Sequence, residues 1–222
     1  MSSLAAPVGA NATDRTSDGA VVVTARVSGE IVYGAGTIVA ENGTTIRVIT
    51  ANHVIAIGTL DVRFDDGTTV PARILVQFPT RDLAILEAQV SRDRADSLHP
   101  ATLADARSNE AVHIWGSGHN GQALESAAVG QVGDDLPDGP ADHRYALACD
   151  TCHRGDSGGG VFDASGALVG VYIGYFEIDS TRISVAATLP FEALKIARSN
   201  ASSTSAALMS AVAADSESRS VP

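Results

Sequence analysis

The sequence predicts an all-β fold of two six-stranded antiparallel β-barrels, followed by one short C-terminal helix. Three observations lead to this prediction. Short runs rich in β-branched residues recur along the chain, turn-forming residues separate them, and a stretch poor in large apolar residues divides them into two sets of six. Short strands joined by tight turns are typical of sandwich and barrel proteins, so six in each half predict two barrels.

The first set of strands occupies about residues 20–90. Turn signals that suit hairpins lie between its members, for example at residues 41–43 (Glu-Asn-Gly) and 65–67 (Asp-Asp-Gly). The predicted strands are Ala20–Val27, Ile31–Val39, Thr45–Thr50, Leu60–Phe64, Thr69–Phe78 and Leu83–Ala88.

The second set occupies about residues 110–188, after a predicted linker at about residues 91–109 that holds few large apolar residues. Pro190 then precedes a helical pattern up to Ala197, and proline is favoured at a helix N-terminus. The predicted strands of this set are Ala111–Trp115, Ser126–Val132, Arg144–Ala148, Gly160–Phe162, Leu168–Tyr175 and Arg182–Ala186.

The chain ends differ in composition from the strand-rich middle. Residues 1–19 and 199–222 are rich in small and polar residues without periodicity, which is typical of disordered segments. We therefore expect one folded unit over residues 20–198, flanked by a disordered N-terminal segment and a disordered Ser/Ala-rich tail. Because 45% of the residues are hydrophobic and only 5% aromatic, its core must consist mainly of Val, Ile, Leu and Ala.

The composition also restricts partners and location. Lys and Arg number 15 against 26 Asp and Glu, a net charge of −11, and no basic run is present, which argues against nucleic acid as a partner. The acidic surface either keeps the protein in solution or attracts basic substrates. No run reaches the roughly 18 apolar residues of a membrane span. Residues 1–20 lack the apolar core of a secretory signal, which predicts a cytoplasmic protein.

The segment most informative about chemistry is Gly155–Gly160, which places Ser157 among glycines between two predicted strands. Tightly turned glycine backbone lets a substrate approach closely and lets main-chain N–H groups converge on it. A serine hydroxyl is a poor nucleophile without an adjacent base, and that base needs a third group to orient it. The segment therefore predicts a displayed nucleophile.

A histidine and a carboxylate occur upstream in suitable settings. His53 ends the run Thr-Ala-Asn-His after a predicted strand, and Asp82 directly precedes another. Taken singly, His53 is equally a strand-end histidine, Asp82 a turn residue and Ser157 part of a glycine-rich hairpin. The three in the order His, Asp, Ser instead match the chymotrypsin type of triad.

At these motifs the sequence resembles the chymotrypsin-like (trypsin-fold) serine peptidases, and within them the bacterial HtrA-like branch. The resemblance rests on Thr-Ala-Asn-His at residues 50–53, Asp-Leu-Ala-Ile-Leu at 82–86 and Gly-Asp-Ser-Gly-Gly at 155–159. Weaker matches at residues 33–39, 112–118 and 168–172 extend it over about residues 20–198. It implies a trypsin-like double barrel with the active site between the two barrels.

The resemblance also implies a role for each site residue. His53 is the general base, Asp82 orients it, and Ser157 is the nucleophile; the backbone N–H groups of Gly155 and Ser157 form the oxyanion hole. The substrate-binding pocket is implied along residues 150–155, with Thr151 near its base and Cys152 in its wall. The opposite wall, which also pairs with substrate backbone, is implied at Tyr172, Ile173 and Gly174. A threonine where trypsin-like enzymes carry an acid favours small or apolar substrate side chains.

Cys149 and Cys152 admit a second interpretation. Two cysteines three apart can ligate zinc or form a redox pair, and His143 and His153 are available to complete a metal site. A second cysteine pair is missing, so we favour a pocket wall, reduced or bridged, and expect neither a metal nor an organic cofactor.

Two departures from family patterns qualify the resemblance. No Ile-Val-Gly-Gly segment follows a basic cleavage site, so the carboxylate of Asp156 needs a partner other than a new N-terminus. HtrA-like members usually carry a peptide-binding PDZ domain after the protease, whereas this sequence ends in a tail, which leads us to expect a lone, monomeric protease domain. The predicted function is a serine endopeptidase acting on proteins or peptides. The alternatives are a catalytically silent binding protein of the same fold and an esterase.

Overall fold

A computed structural model describes residues 19–55, 58–117, 125–131, 144–178 and 181–198, together with Ser210, Val212 and Ala213. The predicted disordered N-terminal segment lies outside this part of the chain except for Gly19. Of the predicted tail, the three described residues are helical, and Val212 packs against the larger apolar core.

All twelve predicted strands are present, and their ends differ from the predicted ones by three residues or fewer. The first six are β1 Ala20–Val27, β2 Glu30–Asn42, β3 Thr45–Ala51, β4 Thr59–Arg63, β5 Thr69–Phe78 and β6 Leu83–Gln89. The second six are β7 Ala111–Gly116, β8 Glu125–Gln131, β9 Arg144–Leu147, β10 Gly160–Asp163, β11 Leu168–Ile178 and β12 Thr181–Thr188.

Strands β1 to β6 form a closed antiparallel barrel in the order β1-β2-β3-β6-β5-β4, which we call the first barrel. Its first hairpin turns at Ser28 and Gly29, which have φ angles of 51° and 90°. Two consecutive positive φ angles match the type I′ turn that suits the twist of a hairpin. The interior is filled mainly by aliphatic side chains, as the low aromatic content predicts, with Phe64 and Phe78 beside them.

Strands β7 to β12 form a six-stranded antiparallel sheet in the order β8-β7-β10-β11-β12-β9, which we call the second sheet. The sequence predicted a second closed barrel. In the part of the chain that is described, however, β8 and β9 are the edges of the sheet and do not pair with each other. The connection between these two edge strands, residues 132–143, lies outside that part.

The predicted linker contains a short helix, α1 (Arg92–Ser97). Ser91 caps it, because its Oγ accepts a hydrogen bond from the N–H of Arg94 at 3.2 Å. Further along the linker, Leu103 forms an isolated parallel bridge to Leu168 of β11. The linker therefore packs along both halves of the fold rather than spanning a gap between them.

The C-terminal helix α2 (Phe191–Arg198) begins where the carbonyl of Pro190 accepts the first helical hydrogen bond, from Leu194 N at 3.0 Å. It packs on the first barrel: Leu194 is fully buried there, and Arg198 Nε donates to the carbonyl of Val39 at 2.9 Å. The side chains of Phe162 and Val171, from the second sheet, join the same apolar core. The boundary between the two halves is therefore a packed interior surface, and loops along it are held by both.

Candidate active site

His53 and Asp82 form a doubly bonded pair at one end of the first barrel. His53 lies in a 3₁₀ turn (Asn52–Val54) that follows β3, and Asp82 lies in the turn that leads into β6. His53 Nδ1 is 2.7 Å from Asp82 Oδ2, and the backbone N–H of His53 donates to Asp82 Oδ1 at 2.9 Å. Since both carboxylate oxygens are used, the orientation of the imidazole relative to the acid is fixed.

The backbone of Asp82 adds to this arrangement. Its carbonyl accepts a hydrogen bond from Asn52 N–H at 2.8 Å. Its φ of 57° is left-handed, a conformation that aspartate and asparagine adopt more readily than most residues. The side chain of His53 is 47% exposed and that of Asp82 22%, so the ring is open to a substrate while the acid lies behind it.

Ser157 belongs to the second half of the chain but is bonded to the first barrel. Its carbonyl accepts a hydrogen bond from the N–H of Ala35 in β2 at 2.7 Å, and the carbonyl of Ala35 accepts one from Thr50 Oγ1 at 2.6 Å. A Cβ built on Gly34 would lie 2.6 Å from Val54 Cγ1 and 2.8 Å from Ser157 O. The serine and the turn that carries the histidine therefore flank the same point on β2.

We call residues 153–159 the nucleophile loop, after the role predicted for Ser157. It opens with a β-turn in which Asp156 N–H donates to the carbonyl of His153 at 3.3 Å and Gly155 has a φ of 100°. A positive φ at the third residue of a β-turn is the mark of type II and favours glycine there. Within the described residues, neither Gly155 N–H nor Ser157 N–H donates to a protein acceptor. Both donors predicted for an oxyanion hole are thus available.

Asp156 has the alternative partner that the sequence required. Its Oδ2 accepts a hydrogen bond from the backbone N–H of His153 at 2.7 Å, and the residue is 3% exposed. A Cβ at Gly116, the last residue of β7, would overlap its carboxylate. The buried acid beside Ser157 is therefore bonded within its own loop and packed against the second sheet.

The five predicted substrate-binding residues differ in what they expose. Thr151 is exposed. The side chains of Cys152 and Tyr172 are fully buried in the core of the second sheet, together with Val112 and Ile114. Ile173 is also buried, in the larger apolar core. This differs from the prediction, because these three side chains offer no surface to a substrate. Burial also raises the pKa of the Tyr172 phenol.

The backbone of β11, unlike these buried side chains, has main-chain groups near Ser157. Tyr172 N–H donates to Gly159 O at 2.8 Å, and Gly158 N–H donates to Tyr172 O at 2.7 Å, so both main-chain groups of Tyr172 are engaged by the nucleophile loop. The ladder between β10 and β11 reaches Val171 and goes no further, whereas β11 continues to Ile178. Among the described residues, β11 therefore has no partner strand on this side from Ile173 and Gly174 onward, and we call this stretch, directly beside the loop, the free edge of β11.

Cys149 and Cys152 form a disulfide with a Cα–Cα distance of 5.6 Å. Both cysteines are buried. In the described part of the chain no group of His, Cys, Asp and Glu could hold a metal ion, and His143, one of the ligands considered from the sequence, lies outside it. No helix in the same part is long and apolar enough to cross a bilayer.

We expect removal of this disulfide to lower the free energy of unfolding by about 2 kcal/mol, because the unfolded chain regains the entropy that closing so short a loop had removed. Urea unfolding of a Cys149→Ala/Cys152→Ala double variant, with and without a reducing agent, measures the effect. The reductant should shift the wild-type midpoint and leave that of the variant in place. An equal shift in both proteins would contradict the prediction.

Comparison with known proteins gives a consistent result. Residues 34–171 match the family model described as a trypsin-like peptidase domain. A protein named probable periplasmic serine endoprotease DegP-like, from Brucella suis biovar 1, is 27% identical over 167 residues, which cover 74% of this chain and 32% of the relative. The chain thus spans about a third of the length of the curated relatives it matches.

Solved structures share the fold. The active form of the Rv3671c protease from M. tuberculosis superposes with a TM-score of 0.70 at 22% identity, covering 90% of this chain and 89% of that one. The HtrA-type protease AlgW with a tripeptide superposes with a TM-score of 0.67 at 23% identity, covering 82% of this chain and 60% of that one.

The comparison corrects the predicted location. The relatives from Brucella, Bartonella henselae and Rhizobium meliloti are all named periplasmic endoproteases. The cytoplasmic prediction depended on the composition of residues 1–20 and is wrong. A disulfide in the folded part agrees with this correction, because disulfides persist mainly in oxidising compartments.

The fold, the bonded histidine and aspartate, and the glycine-rich serine loop thus agree with a family model that matches residues 34–171, more than half of the sequence. The chain belongs to the trypsin-like peptidase domain family, and within it is similar to the HtrA and DegP-like serine endoproteases.

Proposed function

We propose that this protein is a serine endopeptidase that hydrolyses peptide bonds through an acyl-enzyme. The observation that carries the proposal is the doubly bonded pair of His53 and Asp82, held at the same barrel as the backbone of Ser157. In this mechanism Asp82, His53 and Ser157 act as orienter, base and nucleophile. The chemistry requires no metal or organic cofactor.

His53 performs the proton transfers. An ionised carboxylate only accepts hydrogen bonds, so the short contact with Asp82 places the ring proton on Nδ1 and leaves Nε2 free as a base. Nε2 takes the proton of Ser157 Oγ as the oxygen attacks the substrate carbonyl, and then gives it to the leaving amine. Nε2 then deprotonates a water molecule, whose oxygen attacks the acyl carbon, and it passes that proton to Ser157 Oγ as the ester bond breaks and the acid leaves.

The negative charge that develops on the carbonyl oxygen of the substrate requires hydrogen-bond donors. The N–H groups of Gly155 and Ser157 fit this role, because neither is used by the protein within the described residues. Loss of one such donor in a comparable serine protease costs about 10²–10³ in kcat. The two donors therefore account for a large part of the expected rate enhancement.

The substrate is a protein or peptide bound as an added strand. The free edge of β11 from Ile173 onward lies beside the nucleophile loop, and an extended peptide pairs with such an edge through its main chain. Thr151 is exposed in the adjacent loop, and its uncharged side chain favours small or apolar substrate side chains. The site of action is an oxidising compartment, the periplasm in view of the names of the relatives.

A fluorophosphonate probe tests the proposal. The probe phosphonylates a serine only when a base activates it, so the wild-type protein should be labelled and a Ser157→Ala variant should not. Cleavage of a diverse peptide library by unlabelled wild-type protein would then distinguish an endopeptidase from an esterase. A folded wild-type protein that stays unlabelled, or equal labelling of the variant, would falsify the proposal.

A second candidate is a protease-fold binding protein without turnover. One observation favours it: among the described residues, no hydrogen bond joins Ser157 Oγ to His53. Such bonds are often long before substrate binds, so the endopeptidase remains the better account. A protein that binds peptides equally well as wild type and as Ser157→Ala, without cleaving them, would favour the binding protein.

A further inference from the structure

We propose that Ser117 is a positioning residue for the oxyanion hole, an inference that rests on the proposed function. Ser117 directly follows β7 and is fully buried. Its Oγ donates a hydrogen bond to the carbonyl of Gly155, 38 residues away in the sequence. Ser117 thereby contacts the residue whose own N–H is one of the two proposed oxyanion donors.

This contact completes the restraint on one peptide unit. The unit between Gly155 and Asp156 is already held through its N–H, which donates to the carbonyl of His153 at 3.3 Å. The hydroxyl of Ser117 holds the same unit through its carbonyl. With both polar groups bonded, the plane cannot rotate unless both bonds break. Since the plane fixes ψ of Gly155, it also fixes the direction of the N–H on the other side of that residue.

The restraint matters because Gly155 is a glycine. A residue without Cβ has broad conformational freedom, so a φ of 100° is allowed but not enforced by the residue itself. An oxyanion donor contributes only when it is aimed at the developing charge before the reaction begins. A contact from outside the loop is therefore needed to hold the N–H of Gly155 in one orientation.

The end of β7 is a rigid place from which to supply that contact. β7 pairs with β10 through Ile114↔Val161 and His113↔Phe162, and β10 follows the nucleophile loop in the chain. The closeness of Gly116 to the carboxylate of Asp156 brings the next residue, Ser117, against Gly155. The sheet that carries the nucleophile loop thus also carries the hydroxyl that orients it.

We expect Ser117→Ala to lower kcat about tenfold with KM changed less than twofold, because misaiming a donor costs less than the 10²–10³ of losing one. Inhibition by a peptide aldehyde, whose adduct places an oxyanion in the hole, should weaken by a similar factor. Hydrogen exchange of residues 153–159 should become faster. Ser117→Thr keeps the hydroxyl and should recover most of the rate and of the protection from exchange.

Ser97→Ala is the matched control, because Ser97 Oγ also donates to a backbone carbonyl, that of Arg94, but on the exposed helix α1. Its kcat, KM and exchange at residues 153–159 should equal those of the wild type. Unchanged kcat and unchanged exchange in Ser117→Ala would overturn the inference, as would a loss of stability alone. If the wild-type protein has no activity, the proposed function fails, and exchange alone decides whether Ser117 holds the loop.

Discussion

Replacing Ser157 with alanine should lower kcat for peptide hydrolysis by about 10⁶, the size of effect seen when the nucleophile of a serine protease is removed. Ser157 Oγ is the one protein atom that forms a covalent bond to the substrate carbon in the proposed mechanism. A residual acceleration over water of about 10³ should persist, because the oxyanion donors and the binding edge are main-chain groups that the substitution leaves in place. Steady-state cleavage of a peptide substrate measures the loss.

The fold should survive this substitution. The contact between Ser157 and the first barrel uses its carbonyl and the N–H of Ala35, and Oγ forms no hydrogen bond within the described residues. The free energy of unfolding should therefore change by no more than about 0.5 kcal/mol. Ser165→Ala, in the exposed turn after β10, is the matched control and should keep full activity. A Ser157→Ala protein with a kcat within tenfold of the wild type would exclude Ser157 as the nucleophile.

The strands could be predicted because their signal is local. Runs of β-branched residues separated by turn-forming residues predict β1 to β12. The order His53, Asp82, Ser157 predicts a triad from the sequence alone, and that assignment stays a prediction. Helix α1 was missed because six residues contain too little periodicity to distinguish a helical turn from a loop. Its capping serine, Ser91, was the only local signal.

The parts that the sequence did not predict depend on contacts between distant residues. Burial of Tyr172 and Cys152 is decided by packing across the second sheet, which a strand pattern cannot specify. Ser117 was visible only as a residue in a glycine-rich turn after a strand, and its role depends on Gly155, which is far away in the chain. The predicted location was wrong for a different reason, because it depended on the composition of residues 1–20 alone, which says nothing about the disulfide between Cys149 and Cys152.

Replacing Asp82 with asparagine should lower kcat by about 10⁴ with little change in KM, the size of effect that the same substitution has in a related triad. The two hydrogen bonds between Asp82 and His53 explain the size of this loss in kcat. Its Oδ1 accepts from the backbone N–H of His53, so an asparagine must place its amide oxygen there and turn its NH₂ group toward Nδ1. That group donates to Nδ1, forces the ring proton onto Nε2, and removes the lone pair that should accept the proton of Ser157.

Asp82→Asn changes the tautomer of His53 without disturbing the fold, because asparagine tolerates the left-handed φ of 57° at residue 82 as well as aspartate does. Stability should therefore change little, whereas Asp82→Ala would combine a chemical loss with backbone strain. Asp96→Asn on α1, which removes an exposed acid paired with Arg92 at 3.3 Å, is the matched control and should keep full activity. Retention of kcat within tenfold in Asp82→Asn would mean that the carboxylate bonded to His53 does not orient the catalytic base. In that case the doubly bonded pair would be a structural feature of the turn, and another group would have to hold the imidazole during proton transfer.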